Sequence, residues 1–399
     1  MGCFMTDAST AADGQQRPSA AVKGRGLDRD LPLKLDMRRL LWRMGCSARL
    51  DVRLRGYLPQ AKRSPAAHDL TDLDVLGIGF TPAGQIHKTF ADCRSTDKRA
   101  IERMFWVRGV ADFVQADEAY LVRATEVPGG VRSMSSRLGI GVLTPDDLRA
   151  AEKTMPAALD FGGPLAVLFD AACVSAHLGL SDGADRKLGK LIDYLDFDFW
   201  VYEPHRNMTQ VVAHLQQAVS TLDPRSPSHR ALFYDCAWHY ALAIAQAVEY
   251  VRATRMSDVP TAVRIYVGGG ELALREKAAL QRMLAKGGLP ADADSVMPPY
   301  QDQLIDLVTR YLVRPNHLSG TLRYAEYLAV SEAAKLPHTV GEAFGTSTDE
   351  IAAKLLADTC GFLVTAAGLR PDFRVHARAR LVHDLTGGEP GTLPLAMQS

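Results

Sequence analysis

The chain has 399 residues, of which 47% are hydrophobic and 23% charged, and its formal net charge is zero. This balance is typical of a globular protein with a sizeable core, and it argues against a chain that binds a polyanion over its whole surface. The sequence has no run of 18 apolar residues, and its six cysteines form no CxxC pair. We therefore expect neither a membrane span nor a disulfide framework, which fits a cytoplasmic protein.

Residues 1–150 change from an unpatterned tail to alternating helical and strand spacing. Residues 1–30 are rich in Ala, Gly and Asp without periodicity, which predicts a disordered tail. The spacing that follows predicts a helix over 31–44, strands over 48–58, 73–80 and 86–94 with a polar turn over 59–68, a helix over 97–114, a strand over 119–124, a helix over 131–138 and a strand over 140–143. The pattern predicts an α/β domain over residues 31–150, with a mixed sheet flanked by helices.

Beyond residue 150 the hydrophobic residues recur with helical spacing, and we find few strand patterns. We expect an all-helical domain over residues 151–384 and a flexible tail over 385–399. The predicted helices cover 163–178, 186–200, 208–222, 228–254, 302–312, 320–334 and 349–367.

A basic strip runs through the first predicted helix and strand. Residues 20–64 hold 12 Lys and Arg against four Asp and Glu. Clustered positive charge of this kind suits contacts with phosphate groups, so we expect Arg39, Arg43, Arg53 and Arg55 to follow a nucleic-acid backbone. The alternative is that the strip is the solvated face of an ordinary helix and strand.

Two carboxylates stand in neighbouring predicted strands, Asp74 in one and Asp92 in the next. If these strands pair as a hairpin, the carboxylates approach each other, and Arg94 projects to the same side as Asp92. A divalent cation such as Mg²⁺ or Mn²⁺ relieves the repulsion, holds a scissile phosphate and lowers the pKa of an attacking water. The alternatives are a turn carboxylate at Asp74 and a simple Asp92–Arg94 ion pair.

Together with this element order, the segment resembles the PD-(D/E)xK nuclease superfamily, which has the restriction-endonuclease-like fold. The family's first acidic motif matches Asp74, and its (D/E)-x-K motif matches the residues Asp92, Cys93 and Arg94. The acidic residue that the family carries on a helix before the sheet corresponds to Asp36. The resemblance covers residues 31–150 and implies that Asp74 and Asp92 hold the metal while Asp36 assists.

One position departs from the family, which has Lys where this chain has Arg94. A guanidinium is broad, planar and always protonated, so it binds phosphate well but is a poor substitute for an ammonium that positions a water. The resemblance therefore implies a phosphate contact for Arg94. Lys98, at the start of the next predicted helix, is the candidate for the missing ammonium.

By this resemblance we expect a nuclease-like DNA-binding protein, and more specifically a Mg²⁺- or Mn²⁺-dependent endonuclease in bacterial restriction, repair or phage defence. The departure at Arg94 keeps an alternative open: a catalytically inactive nuclease-fold protein that binds nucleic acid or acts as an assembly scaffold. In both cases the expected partner is nucleic acid, DNA in the first place. The helical domain offers a surface for a protein partner.

Overall fold

The computed structural model of the protein describes residues 28–60, 63–96, 99–155, 159–181, 185–254, 256–287 and 297–381, with the backbone only for 57–60 and 63–67. Lys98, residues 1–27 of the predicted N-terminal tail and the whole predicted C-terminal tail lie outside the described residues.

The alternating segments of the first part form one five-stranded sheet in the order β1-β2-β3-β4-β5. The first three strands are antiparallel, and β4 and β5 continue the sheet in parallel with β3, so the predicted mixed sheet is confirmed. The strands are β1 (Ser47–Gln60), β2 (Arg63–Phe80), β3 (Ile86–Arg94), β4 (Glu118–Arg123) and β5 (Gly141–Leu143).

The turn predicted over residues 59–68 is wrong over most of its length, because β1 and β2 continue pairing as far as Gln60 and Arg63. The ladder shifts register between Leu58 and Gln60, which leaves Ser64 and Pro65 out of the pairing. A proline is tolerated in a strand at such an irregularity, since its missing N–H is not needed there.

Helices cover this sheet as predicted, and their ends follow from local sequence. The first helix ends before Gly45, whose φ of 86° suits glycine. Leu41 of that helix packs on the sheet at Gly77, where an added Cβ would lie 3.0 Å from Leu41 Cδ1. Thr144 caps the fourth helix by accepting from the Asp147 N–H. The helices are α1 (Leu31–Arg43), α2 (Ala100–Val114), α3 (Gly129–Leu138) and α4 (Pro145–Thr154).

In the described residues, the second part consists of helices joined by loops. Its longest helix, Pro227–Thr254, packs against several of the others. The helix predicted over 163–178 is interrupted, because Asp170 caps a new helix through the Cys173 N–H. The helices are α5 (Ala171–Leu178), α6 (Gly189–Asp193), α7 (Phe199–Val201), α8 (Pro204–Ala218), α9 (Pro227–Thr254), α10 (Val259–Gly268), α11 (Glu271–Lys286), α12 (Gln301–Leu312), α13 (Leu318–Ala333), α14 (Val340–Phe344), α15 (Glu350–Ala367) and α16 (Asp372–Leu381).

Buried charged and polar side chains join the sheet to these helices. Arg38 of α1 donates to Glu326 Oε1 of α13 at 2.6 Å and to the carbonyl oxygen of Leu168 at 2.8 Å. The other oxygen of Glu326 accepts from Ser47 Oγ at 2.6 Å and from the Ala48 N–H at 3.1 Å. Arg38 and Glu326 are 3% and 1% exposed, so the buried charges are paired and hydrogen-bonded.

A second buried pair extends this arrangement. Arg49 of β1 lies over the ring of Trp238 and donates to Asp235 Oδ1 of α9 at 2.6 Å, while His177 Nε2 lies 2.9 Å from Asp235 Oδ2. Burial acts to raise the pKa of Asp235, but Arg49 and His177 hold it well below its ordinary value. We call this set the interface network; its members are Arg38, Ser47, Arg49, His177, Asp235 and Glu326.

One set of buried hydrophobic side chains extends from α1 through the sheet to α16. Residue 150 lies within α4, and the hydrophobic core continues from the α/β part into the helical part, so the predicted domain boundary stays a prediction. Within the described part of the chain, we find no helix with the length and apolar character needed to span a bilayer.

Candidate functional site

Asp74 and Asp92 face each other across β2 and β3. Val75 pairs with Ala91, so the next step of the same register sets Asp74 opposite Asp92. Both side chains are buried, with 7% and 1% exposure. Asp74 Oδ2 accepts the backbone N–H of Cys93 at 2.8 Å, which holds the two strands together at this point. The structure thus brings together the two carboxylates that the sequence singled out.

The ammonium of Lys34 lies against Asp74. Its Nζ is 3.1 Å from Asp74 Oδ1, 2.6 Å from Asp51 Oδ1 and 2.7 Å from Asp28 Oδ2. Burial acts to lower the pKa of Lys34, but Asp74 and Asp51 raise it above its ordinary value. The site therefore contains a protonated ammonium, contributed by α1.

Sequence reasoning placed Lys34 only among the basic residues of the strip. A usable signal was present, because Lys34 shares the apolar side of α1 with Leu41 at helical spacing. A lysine at such a position is almost never fully buried unless it is paired, so it predicts a carboxylate partner.

A second cation holds Asp92. Arg103 of α2 donates to both carboxylate oxygens, from Nε at 2.9 Å and from Nη2 at 2.6 Å, and stacks 3.4 Å from the ring centre of Trp106. Two parallel hydrogen bonds fix the orientation of Asp92. Arg94, 41% exposed at its side chain, places Nε 3.4 Å from Asp92 Oδ1. Sequence reasoning missed Arg103; its signal was an arginine one turn into α2, three residues before a tryptophan.

Further carboxylates gather beside Asp74. Asp51 lies opposite Asp74, between the pairs Leu50–Val75 and Val52–Leu73, and its φ of 53° is unusual for a residue in a strand. One oxygen each from Asp51, Asp72 and Asp74 lies within 4.8 Å of the other two, and Asp72 is exposed. Hard oxygen donors at this spacing suit Mg²⁺ or Mn²⁺, whose ligands lie roughly 2.1 Å from the ion.

Acidic groups outnumber basic ones at this site. Burial raises the pKa of Asp74 to about 7, and Asp92 acts in the same direction while Lys34 opposes them. A carboxylate with such a pKa binds a proton or a cation near neutral pH. We call this site the aspartate cluster; it comprises Asp28, Asp51, Asp72, Asp74 and Asp92 with Lys34, Arg94 and Arg103.

The remaining predicted residues of α1 lie elsewhere. Asp36 is exposed, with Arg39 and Arg149 as neighbouring charges, so it lies towards α4 and away from Asp74. Arg39 and Arg43 share Glu152 Oε1 of α4, at 2.8 and 3.1 Å. Arg43 also donates to the Leu159 carbonyl oxygen and lies over Phe161.

The arginines of β1 are also engaged within the chain. Arg53 and Arg55 lie over the ring of Phe197, 5.4 and 3.7 Å from its centre. Arg55 Nε is also 3.1 Å from Asp69 Oδ1. Much of the basic strip thus contacts the rest of the protein. Its role in binding nucleic acid stays a prediction.

Comparisons of this chain with protein-family models, with curated proteins and with solved structures found no match. The geometry of the aspartate cluster is therefore the basis of the functional argument.

Proposed function

We propose that the protein is a nuclease-like nucleic-acid-binding protein in which the aspartate cluster hydrolyses phosphodiester bonds with a divalent cation. The observation that carries the proposal is the opposed pair Asp74 and Asp92 within a surplus of carboxylates, with the ammonium of Lys34 in contact. This set of groups supplies hard metal ligands and a cation for a phosphate at one place.

The carboxylates of the aspartate cluster differ in how free they are to bind a cation. Asp51, Asp72 and Asp74 would hold the cation, since their oxygens converge and Asp72 opens to solvent. Asp92 keeps lone pairs free, although Arg103 uses both of its oxygens. A bound Mg²⁺ or Mn²⁺ supplies Lewis-acid activation of a phosphate and a water of lowered pKa.

The chain's own side chains have separate tasks. Lys34 offsets the charge of Asp28, Asp51 and Asp74, and these three carboxylates engage its three N–H donors. Arg94 is half-exposed beside Asp92 and would bind a phosphate oxygen of the substrate. Arg103 keeps Asp92 in one orientation.

A second function is favoured by the hydrogen bonds of Arg103. They already compensate Asp92, and Lys34 already compensates Asp74, so the site is stable without a metal. In that case the nuclease-type fold is retained, cutting is absent, and the protein binds nucleic acid or assembles with other subunits.

The test is a cleavage assay on plasmid and on linear single- and double-stranded DNA, with Mg²⁺ or Mn²⁺, comparing wild type with Asp74→Asn and Asp92→Asn. Both changes keep the shape of the side chain and remove its charge. Asp146→Asn is the matched control, because its side chain is 88% exposed on α4. We expect cutting to fall by more than roughly 100-fold in the two site variants, since even outer-shell partners of a metal contribute 10- to 100-fold.

Binding of labelled DNA, measured over a range of salt, separates the two functions. Wild-type protein that binds DNA with a steep salt dependence but does not cut it supports the second function. Cutting that survives in both Asp74→Asn and Asp92→Asn would contradict the first. Failure to cut and to bind would contradict the first function and the nucleic-acid-binding form of the second.

A further inference from the structure

The outward side of α2 exposes large apolar side chains. Ile101, Phe105 and Phe113 are 44%, 56% and 63% exposed. Phe105 lies four residues before Gly109 and Phe113 lies four residues after it, so Phe105, Gly109 and Phe113 share one face of the helix. A Cβ added at Gly109 would meet nothing within 4 Å, so the surface between the two rings is open. We call this face, from Ile101 to Phe113, the α2 stripe.

The residues of the α2 stripe are arranged symmetrically. Each phenylalanine is about 6 Å from Gly109 along the helix axis, given a rise of about 1.5 Å per residue. A second α2 helix, antiparallel and related by a two-fold axis at Gly109, would therefore set each Phe105 level with Phe113 of the other copy. The glycine at the centre lets the two backbones approach, and the aromatic rings then pack in two layers.

The charges beside the stripe fit the same arrangement. Arg108 and Asp112 form an ion pair within the helix and lie on the flank of the stripe that Ile101 occupies. A two-fold axis normal to the plane of the two helices keeps equivalent flanks together. Arg108 of one copy then lies about 3 Å from Asp112 of the other copy, measured along the helix axis. The two-fold symmetry forms this pair twice. The face is self-complementary in shape and in charge.

From these observations we infer that the α2 stripe binds a second copy of the chain, with the two α2 helices antiparallel and centred on Gly109. The three side chains offer roughly 300 Å² of apolar surface per copy, if each fully exposed side chain presents roughly 200 Å². A standard interface buries roughly 800 Å² per partner. The dimer is therefore reversible, with a dissociation constant in the micromolar range or weaker.

Sedimentation velocity of the full chain from about 1 μM to about 1 mM tests this inference. We expect Phe105→Asp and Phe113→Asp each to weaken dimerisation at least tenfold without unfolding the protein, because both rings are more than half exposed. Leu272→Asp is the matched control, since Leu272 is 71% exposed on α11. A wild-type protein that is monomeric throughout overturns the inference, as does a dimer that only Leu272→Asp weakens.

The charge arrangement has its own test. Arg108→Asp and Asp112→Arg each set like charges across the two-fold axis and should weaken the dimer. The double variant Arg108→Asp/Asp112→Arg restores opposite charges and should recover most of the affinity. A double variant that is weaker than both single variants contradicts the antiparallel pairing.

A cysteine at the centre of the stripe fixes the register. Gly109→Cys, in a Cys3→Ser/Cys173→Ser background, should form a disulfide between two copies under mild oxidation, because the two-fold axis passes between the two copies of this residue. The control is Gln281→Cys on α11. Cross-linking that is no faster for Gly109→Cys than for Gln281→Cys overturns the register. The dimer and the proposed nuclease activity are independent, so each can fail without the other.

Discussion

The interface network and the aspartate cluster both contain buried aspartate or glutamate beside arginine or lysine, but they differ in balance. In the interface network each acidic side chain has a basic partner, as Arg38 pairs with Glu326 and Arg49 with Asp235. In the aspartate cluster the carboxylates outnumber the cations, and Asp72 and Arg94 remain partly open to solvent.

This difference separates two uses of buried charge. A balanced and enclosed network needs no further partner, so we assign to it the docking of the helices on the sheet. A surplus of negative charge is left for a proton, a cation or a ligand to neutralise, and burial together with the neighbouring Asp92 raises the pKa of Asp74 to about 7. The comparison predicts that changes in the two sites respond differently to added cation and to pH.

The largest effect is expected in the interface network. Glu326→Ala leaves Arg38 buried without its counter-charge and removes the acceptor for Ser47 and the Ala48 N–H. We expect a loss of about 3–5 kcal/mol in the free energy of unfolding, measured with urea. Added Mg²⁺ or Mn²⁺ should leave the difference from wild type unchanged, because the aspartate cluster is intact in both proteins. The control is Glu276→Ala on the exposed side of α11. A loss below about 1 kcal/mol would mean that the network does not hold the two parts together.

Lys34→Met is expected to have the next largest effect, and one that a cation can reverse. It removes the ammonium from between Asp51 and Asp74, so the free energy of unfolding should fall by about 2–4 kcal/mol without divalent ions. Millimolar Mn²⁺ should restore part of the loss, because a ligand that binds only the folded state stabilises it. If Mn²⁺ raises the free energy of unfolding of neither wild type nor Lys34→Met, the aspartate cluster does not take a cation.

These two sites also show how far the sequence could be interpreted. Strand-like spacing located the strands and set Asp74 near Asp92 on the condition that the two strands pair as a hairpin, and the structure has that pairing. The predicted helix α1 was also confirmed. The partner of each carboxylate was not predicted, since Lys34 and Arg103 reach the cluster through the packing of α1 and α2.

The basic strip illustrates the same limit. Its net positive charge is visible in the sequence, but the acceptors of Arg38 and Arg49 lie in α13 and α9, 288 and 186 residues away. Contacts at that separation follow from the tertiary fold, and no periodicity within the strip records them. The ribbon formed by the ends of β1 and β2 was likewise hidden, because Pro59 and Pro65 favour a turn in the sequence.

A smaller effect is expected in the pH dependence of the free energy of unfolding, to which the aspartate cluster contributes through Asp74. Folding raises the pKa of Asp74 from 3.8 to about 7, so the folded state binds the proton more tightly than the unfolded state. The resulting stabilisation is complete below pH 3.8 and is lost as the pH rises through about 7. Between pH 5 and pH 8 we expect the free energy of unfolding of wild type to fall by about 2–3 kcal/mol more than that of Asp74→Asn.

Urea unfolding of both proteins at the two pH values measures this difference. The other ionisable groups are common to the two proteins, so their contribution to the pH dependence cancels. Asp146→Asn serves as the comparison, because the side chain of Asp146 is 88% exposed on α4 and lies outside the aspartate cluster. Equal pH dependence in wild type and Asp74→Asn would contradict the raised pKa.

The smallest expected effect is that of Asp72→Asn, and its sign tests whether the aspartate cluster has a surplus of negative charge. Asp72 is an exposed member of a cluster that already has too many carboxylates, so Asp72→Asn should raise the free energy of unfolding by a few tenths of a kcal/mol without divalent ions. Asp306 is also exposed but is matched by Arg310 at 2.8 Å, so Asp306→Asn should lower it by a similar amount. Salt at about 1 M should abolish both changes, because it screens exposed charges. Asp72→Asn that is more stable than wild type without Mn²⁺ and less stable with Mn²⁺ would identify Asp72 as a ligand. The Asp72 carboxylate would then lower the free energy of unfolding without the cation and raise it when the cation is bound.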